Sequence, residues 1–345
     1  MRLRSFALGA SLASVAVIAA ACGQADQTAE QDAAAPTATA DASGWTTAWG
    51  EPDISGLWPV GHLTGTALQR PAQFEGREFL TDEEYAASEE RAAAAAGAYD
   101  RAEAENKLGM SHWAERGQAS RRTSLIVDPA DGQLPALTEE GQRRQAEMRS
   151  TWQQIQFDWV TDFDSWDRCI TRGMPASMFP FQYNNGIRIF QSPAVVAINM
   201  EMIHETRVIP TDGRAPLPGE ILQWLGESRG HWEGGTLVVE TTNLMPGPSM
   251  TNIGTTGSPR ENNLPVSESS RIVERFTRTA DDTLDYEMTF EDPTLYTAPW
   301  TAKLSWRLDP EYGMFEYACH EANYMVRDYI NASRAGRAAT GGAGE

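Results

Sequence analysis

The stretch SRIVERFTRTADDTLDYEMTFE, Ser270 to Glu291, decides the fold class. In its second half Leu284, Tyr286, Met288 and Phe290 fall on one side by the period of two, and Thr283, Asp285, Glu287 and Thr289 on the other. The first half groups Ile272, Glu274 and Phe276, so Glu274 is a carboxylate on an apolar, inward face. Ala280-Asp281-Asp282 between them is a turn signal, and the whole reads as a hairpin. Outward from it, strands are predicted at Ile187–Gln191, Val195–Ile209, Thr236–Thr242, Trp300–Leu308 and Met314–His320, with further turns at Thr211-Asp212-Gly213 and Glu233-Gly234-Gly235. Short strands in hairpin order, with no helices between them, point to a mainly β protein whose antiparallel sheet closes or nearly closes into a barrel.

Upstream the texture is helical. Residues Thr81–Asn106 and Thr138–Gln154 are rich in Ala, Glu and Gln, and each opens on a Thr cap followed by acids in the first turn. They form an N-terminal helical insertion over about 81–155, a solvated surface that could also act as a lid. The organisation expected is a signal at 1–22, a flexible tether at 23–43, one barrel domain at 44–331 and a frayed Gly-rich tail at 332–345.

Composition bounds the function. The 345 residues carry 28 Lys+Arg against 48 Asp+Glu, a formal net charge of −20, with 41% hydrophobic residues. That apolar content supports a packed core and excludes wholesale disorder. So acidic a surface repels a phosphate backbone, which argues against nucleic acid as a partner. No feature of the sequence specifies an oligomeric state.

Met1 to Cys22 reads as a bacterial lipoprotein signal. Arg2 and Arg4 form its positive end, Ser5–Ala20 its short apolar run, and Ala19-Ala20-Ala21 a small-residue cleavage site before Cys22. The run falls short of a bilayer span, so a removed signal fits better than a retained helix. Cys22 is then the lipidation site, the protein sits on the periplasmic face of the envelope, as an outer-membrane lipoprotein, and membrane contact is through the lipid alone. An ordinary secretory signal cut nearby is the alternative. Removing Arg2 and Arg4 takes the net charge from −20 to −22. Cys169 and Cys319 remain of the 3 cysteines, an even pair for an oxidising compartment. A disulfide between them adds about 5 kcal/mol on the chain-entropy model. The sharper alternative, a catalytic thiol, needs a low-pKa setting.

The familiar catalytic motifs fail on context. Gly226-Glu227-Ser228-Arg229-Gly230 matches G-x-S-x-G, but a strand follows where a nucleophile elbow needs a helix. His204-Glu205 and His320-Glu321 begin like a zinc motif, yet Val208 and Tyr324 occupy the fifth positions. No dinucleotide or phosphate-loop glycine pattern occurs, so neither cofactor nor metal is expected.

What remains is polar residues on apolar faces. Read as one strand, Val195–Ile209 places His204 on the side of Val196, Ile198, Met200 and Met202. The last strand groups Glu316 and His320 on one face. With that face inward, Glu274, Glu316, His204 and His320 converge as catalytic candidates in a cavity walled by Tyr286, Trp300 and Trp306. A desolvated carboxylate beside an imidazole is a suitable acid–base pair. Arg207, Tyr183 and Asn185 are further ligand-binding candidates, and Arg168 could anchor an anionic group or pair with Asp164 or Asp167. The bland reading is a buried Glu/His structural pair, or a pair of either residue with Arg207 or Arg271, and Trp residues that are simply core.

Two resemblances add to this. Gly56-Leu57-Trp58, after the turn Glu51-Pro52-Asp53, resembles the entry strand of lipocalin-type barrels, in which the Trp plugs the closed end; this implies a lipocalin- or calycin-like barrel. Over about Asp53–Tyr329, the ordered motifs Asp167-Arg168-Cys169, Tyr183-Asn184-Asn185, Glu201-Met202-Ile203-His204, Gly230-His231-Trp232-Glu233-Gly234 with Thr236–Thr242, and Glu316–Glu321 resemble a large group of exported proteins of soil and marine bacteria. That resemblance implies a shared fold and carries no reaction with it. The function expected is cofactor-free acid–base chemistry (a lyase, isomerase or hydrolase) on a small apolar or aromatic molecule, with a non-catalytic ligand carrier or a structural envelope protein as the alternatives.

Overall fold

In the computed structural model, residues 44–107, 114–115, 117, 120–148, 156–246, 251–252 and 263–341 are described. Cys22, the signal and the tether lie outside them.

Among the described residues the fold is mainly antiparallel sheet. The strands are β1 (Gly56–Leu57), β2 (Ile126–Asp128), β3 (Ile187–Ser192), β4 (Val195–Met200), β5 (Thr206–Pro210), β6 (Glu227–Glu233), β7 (Thr236–Thr242), β8 (Thr251–Asn252), β9 (Asn263–Leu264), β10 (Arg271–Ala280), β11 (Thr283–Glu291) and β12 (Trp300–Arg307). They form a 4-stranded sheet in the order β1-β3-β4-β5, a 6-stranded sheet in the order β2-β12-β11-β10-β7-β6, and a ribbon of β8 and β9. The hairpin read from Ser270–Glu291 is the centre of the larger sheet, with Phe276 opposite Tyr286 and Glu274 opposite Met288. Both sheets turn their apolar faces into one core, where Ile189, Ile198 and Ile209 of the smaller meet Ile272, Phe276 and Leu304 of the larger. Gly56 stands where the two sheets approach closely, since a Cβ there would lie 2.6 Å from Leu308 Cδ1.

Three elements differ from the sequence expectation. Val195–Ile209 is a hairpin instead of one strand. The chain reverses over Met202–His204, with Ile203 and His204 at φ +59° and +47°, and β5 returns along β4 with Arg207 opposite Ile198 and Ile209 opposite Val196. The reversal exchanges the faces: Arg207 and Ile209 point inward, while Val208 is 60% exposed. Met314–His320 is an irregular segment without a strand partner. The Gly-rich tail is helical as far as Gly341, as part of α3 (Met325–Gly341). Its Ala and Arg residues favour helix, and Ile330 packs against Phe157 and Phe163, which fixes the segment to the body.

The helical texture upstream resolves into α1 (Asp82–Ala104) and α2 (Glu139–Glu147), and residues 149–154 of the second expected segment lie outside the described residues. Thr81 and Glu84 form a reciprocal capping box on α1, and Thr138 caps α2 through the Gly141 amide at 3.0 Å. No residue of α1 is buried. Its Ala-rich sequence has no apolar stripe to bury, so it lies as a solvated helix held near its start by Arg77–Glu84 and Arg121–Asp82. No helix among the described residues is long and apolar enough to cross a membrane.

Candidate functional site

The inward carboxylate of β10 does not meet an imidazole. Glu274, 0% exposed, accepts from Arg207 Nη1 at 2.8 Å and from Arg207 Nη2, and it also accepts from the Tyr286 hydroxyl at 2.9 Å. Arg207 Nη2 donates further to Ser228 Oγ and Thr241 Oγ1, both at 3.1 Å. Ser228, the residue of the G-x-S-x-G match, therefore lies in the β6–β7 hairpin and supports a buried ion pair between β5 and β10. Burial works against the Arg207 charge, but Glu274 beside it wins and holds the guanidinium above its ordinary pKa. Burial and the Glu274 charge push the Tyr286 phenol well above its ordinary pKa, so it stays a donor. Trp306 stacks on Tyr286 at 4.8 Å and Trp300 on Phe290 at 5.7 Å. These rings are core, sealed and packed on one another, and they line none of the clefts described below.

The other candidates gather elsewhere, at the end of the structure where β3 begins and β4 ends. Cys169 and Cys319 form a disulfide across a separation of 150 residues, with Cα atoms 5.6 Å apart. It ties the buried segment Asp162–Asn185 to the irregular segment after β12. His204 is exposed and donates from Nδ1 to the Tyr317 carbonyl at 3.0 Å; Glu316 and His320 are exposed as well. Trp166 Nε1 donates to the Tyr317 hydroxyl at 3.3 Å, and Asn323 Nδ2 to the Asp167 carbonyl at 3.2 Å. Arg168 Nε donates to the Asp164 carbonyl at 3.2 Å. Four of the motif segments singled out in the sequence thus meet around one disulfide.

Beside them lies an open cleft of about 650 Å³, lined by Glu115, Tyr183, Asn184, Glu201, Tyr312, Gly313 and Phe315. Its floor is a carboxylate–phenol–carboxylate bridge: the Tyr312 hydroxyl stands 3.0 Å from Glu115 Oε1 and 2.9 Å from Glu201 Oε2. Burial, then the two carboxylates, raise the Tyr312 phenol far above its ordinary pKa. Glu201, 2% exposed, also accepts from Asn184 Nδ2 at 3.0 Å, the Gly186 amide at 3.0 Å and the Phe315 amide at 2.9 Å. Glu115 accepts from the Asn185 amide at 3.2 Å and from Asn185 Nδ2 at 2.9 Å. Asn185 is itself buried and held by Phe181 on both its amide atoms, which fixes this edge of the cleft. Neither Glu115 nor Glu201 has a cationic partner among the described residues.

Tyr183 forms one wall, its ring parallel to Tyr317 at 6.4 Å, and burial raises its phenol pKa. Phe315, 73% exposed, forms the other. Behind Tyr183, Arg172 lies over the Phe181 ring at 4.7 Å, with burial bringing its pKa down to about 10. Burial pushes Glu205 up to about 7, and burial with the neighbouring Asp167 charge pushes Asp164 up to about 7. Ile203 and His204, in the left-handed region, follow Glu201 by two and three positions; a β-branched residue there marks stored backbone strain of the kind that gathers at functional sites.

Of the expected set, then, Tyr183 and Asn185 border this cleft, His204 and the disulfide buttress it, and Glu274, Arg207, Tyr286, Trp300 and Trp306 belong to the core. Glu115, Glu201 and Tyr312 carry the site and were not singled out by sequence. Glu201 belongs to the Glu201-Met202-Ile203-His204 motif, in which the imidazole is the more conspicuous acid–base group. Glu115 and Tyr312 lie in segments without periodicity. No cluster of three or more metal-ligating side chains occurs among the described residues. No family model matches the chain, and no curated protein or solved structure matches it either.

Proposed function

We propose that the protein is an exported, lipid-anchored enzyme of the periplasmic face of the envelope, performing cofactor-free acid–base chemistry on a small, apolar or aromatic molecule. The chemistry takes place in the Glu115–Tyr312–Glu201 cleft rather than between the sheets. The observation that carries this reading is the shared phenol. Tyr312 has one proton and faces two carboxylates at hydrogen-bond distance, so both contacts are made at once only when the trio holds a second proton. A cleft floor that takes up and gives back a proton beside aromatic walls is what a general acid–base needs. Glu201, held by three N–H donors, positions the phenol; Glu115, less buried, is the group that exchanges its proton with a ligand.

The barrel reading belongs here too. Neighbour order in both sheets runs with the chain, from β3 to β5 and through β6, β7, β10, β11 and β12, with β8 and β9 set apart as a ribbon and β2 added at the edge. Arg207 joins β5 to β6 and β7 through side chains, and the Asp309 amide donates to the Leu57 carbonyl at 3.0 Å, bringing the end of β12 to β1. These contacts support a calycin-like up-and-down barrel whose two sheets are its walls. Export is supported by the disulfide, which suits an oxidising compartment.

One observation favours a second reading, a carrier that holds its ligand unchanged. Glu201 and Glu115 already accept five N–H bonds between them, which keeps them as fixed acceptors. The test is incubation of the full chain with a small-molecule extract of the source cells, followed by untargeted mass spectrometry. Loss of particular compounds with the wild type, and not with Tyr312→Phe or Glu115→Gln, is expected. Compounds retained by the protein and recovered unchanged would replace the enzyme by the carrier; identical losses with Tyr312→Phe would remove the cleft from the chemistry.

A further inference from the structure

A second site of opposite charge lies on the far edge of the larger sheet. A cleft of about 420 Å³ is walled on one side by Arg121 and Arg122 and on the other by Lys303 and Arg307 of β12; no carboxylate lines it among the described residues. Leu63, Leu125 and Leu304, core residues that are 7%, 3% and 1% exposed, underlie it, and Tyr85 from the first turn of α1 closes one side with its ring 4.3 Å from the Arg121 guanidinium carbon. Each cation has an acidic neighbour outside the cleft. Arg121 Nη1 bonds Asp82 at 2.8 Å, Arg122 Nη1 bonds Glu78 at 2.6 Å, Arg307 Nη1 bonds Asp282 at 3.3 Å, and Lys303 stands 3.8 Å from Glu287.

Those contacts position the side chains without using them up. All three guanidinium groups engage their carboxylates through Nη1 alone, which leaves Nε and Nη2 of each without a protein acceptor among the described residues. An arginine carries five N–H donors in a planar fork suited to the oxygens of a phosphate or sulfate. His62 is not part of this recognition, since both its ring nitrogens face backbone carbonyls, Pro59 at 3.2 Å and Ser305 at 3.0 Å. On a chain of net charge −20, four cations around one recess are a local concentration of positive charge.

We infer that this cleft binds a tetrahedral oxyanion carried on a small apolar body, a phosphate or sulfate monoester, with the oxygens between Arg121 and Arg307 and the body against the Tyr85 ring. The site is independent of the Glu115–Tyr312–Glu201 cleft and shares no lining residue with it.

The test is calorimetric titration of the full chain at low ionic strength with phenyl phosphate, phenyl sulfate, inorganic phosphate and phenol. Phenyl phosphate or phenyl sulfate binding at one site, at least tenfold tighter than phenol, is expected; the two esters distinguish which oxyanion is preferred. Arg121→Gln with Arg307→Gln weakens that binding at least tenfold, while Arg143→Gln, which removes one cation from α2, leaves it unchanged. No heat from either ester, phenol binding as tightly as the esters, or equal affinity in the double variant overturns the inference. Should the double variant not fold, a phenyl phosphate soak of wild-type crystals decides it: phosphorus between Arg121 and Arg307 supports the site, and its absence there overturns it.

Discussion

Two groups in this molecule use the same parts to opposite effect. In the core, Tyr286 donates to Glu274, and Arg207 supplies the matching positive charge, with Ser228 and Thr241 accepting further from its Nη2. At the cleft, Tyr312 faces Glu115 and Glu201, and no cation balances either among the described residues. The first group is charge-neutral, sealed and almost fully satisfied; nothing enters or leaves it. The second has no counter-charge among the described residues and opens on solvent, and on the proposed reading the compensating positive charge comes from a proton or a ligand. A buried carboxylate on a β-strand is thus a poor marker of catalysis by itself. On the proposed reading, what separates a structural group from a chemical one is whether the protein has already supplied the compensating charge.

The sharpest way to break this comparison is to uncouple the core pair. Glu274→Gln leaves Arg207 charged and unpaired in the interior and is expected to cost about 3–5 kcal/mol, read from denaturant unfolding. Arg207→Met with Glu274→Leu recovers part of that loss, because the unpaired charge is gone. A Glu274→Gln protein as stable as wild type but inactive would move the active site back into the core.

Next in size is the disulfide. Cys169→Ser with Cys319→Ser is expected to lower stability by about 2–5 kcal/mol. The loss falls on the cleft end, so hydrogen exchange should rise over 164–186 and 312–323 and stay unchanged over β10–β12. Uniform loss of protection would mean that the disulfide braces the whole fold instead of the site.

Tyr312→Phe is the counterpart of the core substitution. It removes one hydroxyl from a half-buried position and is expected to cost about 1 kcal/mol of stability. Turnover of a cleft substrate should fall about 10²-fold or more, the range for losing a general acid–base group. A large stability loss with proportionate activity loss would make the bridge structural.

The smallest effect is one of pH. Glu205 is raised in the folded protein from an ordinary value near 4.5 to about 7 by burial. The folded state therefore keeps a proton that the unfolded chain releases. The resulting stability is fully present below pH 4.5 and is lost as pH rises through about 7. Asp164, also raised to about 7, acts in the same direction. Glu205→Gln should flatten this decline by about 1–2 kcal/mol, and an unchanged profile would remove Glu205 from it.

The same contrast explains what was legible in the sequence. The hairpin of β10 and β11, the strand β12 and the caps of α1 and α2 rest on local rules, namely period-two alternation, a turn signal and a Thr before acids, and they stand where those rules put them. The inward face of Glu274 was readable for the same reason. Its partner was misread because period-two counting carries no warning of a reversal, and the turn at Met202–His204 contains neither Gly nor Pro. That turn is held by contacts distant in sequence, with Glu201 pinned by Asn184, Gly186 and Phe315. One missed turn exchanged Arg207 and His204 between core and surface. The cleft was illegible for a related reason: its floor joins Glu115, Glu201 and Tyr312, residues 111 and 197 positions apart across the two hydrogen bonds, on segments without periodicity.

The central claim is that small molecules act at the Tyr312 cleft and not between the sheets. Crystals of the protein soaked with a panel of small aromatic fragments test it most directly. The result expected is density between Tyr183 and Phe315, with a polar atom within hydrogen-bond reach of Glu115 or Tyr312. Density confined to the space between the sheets beside Glu274, with the cleft empty across the panel, would contradict it.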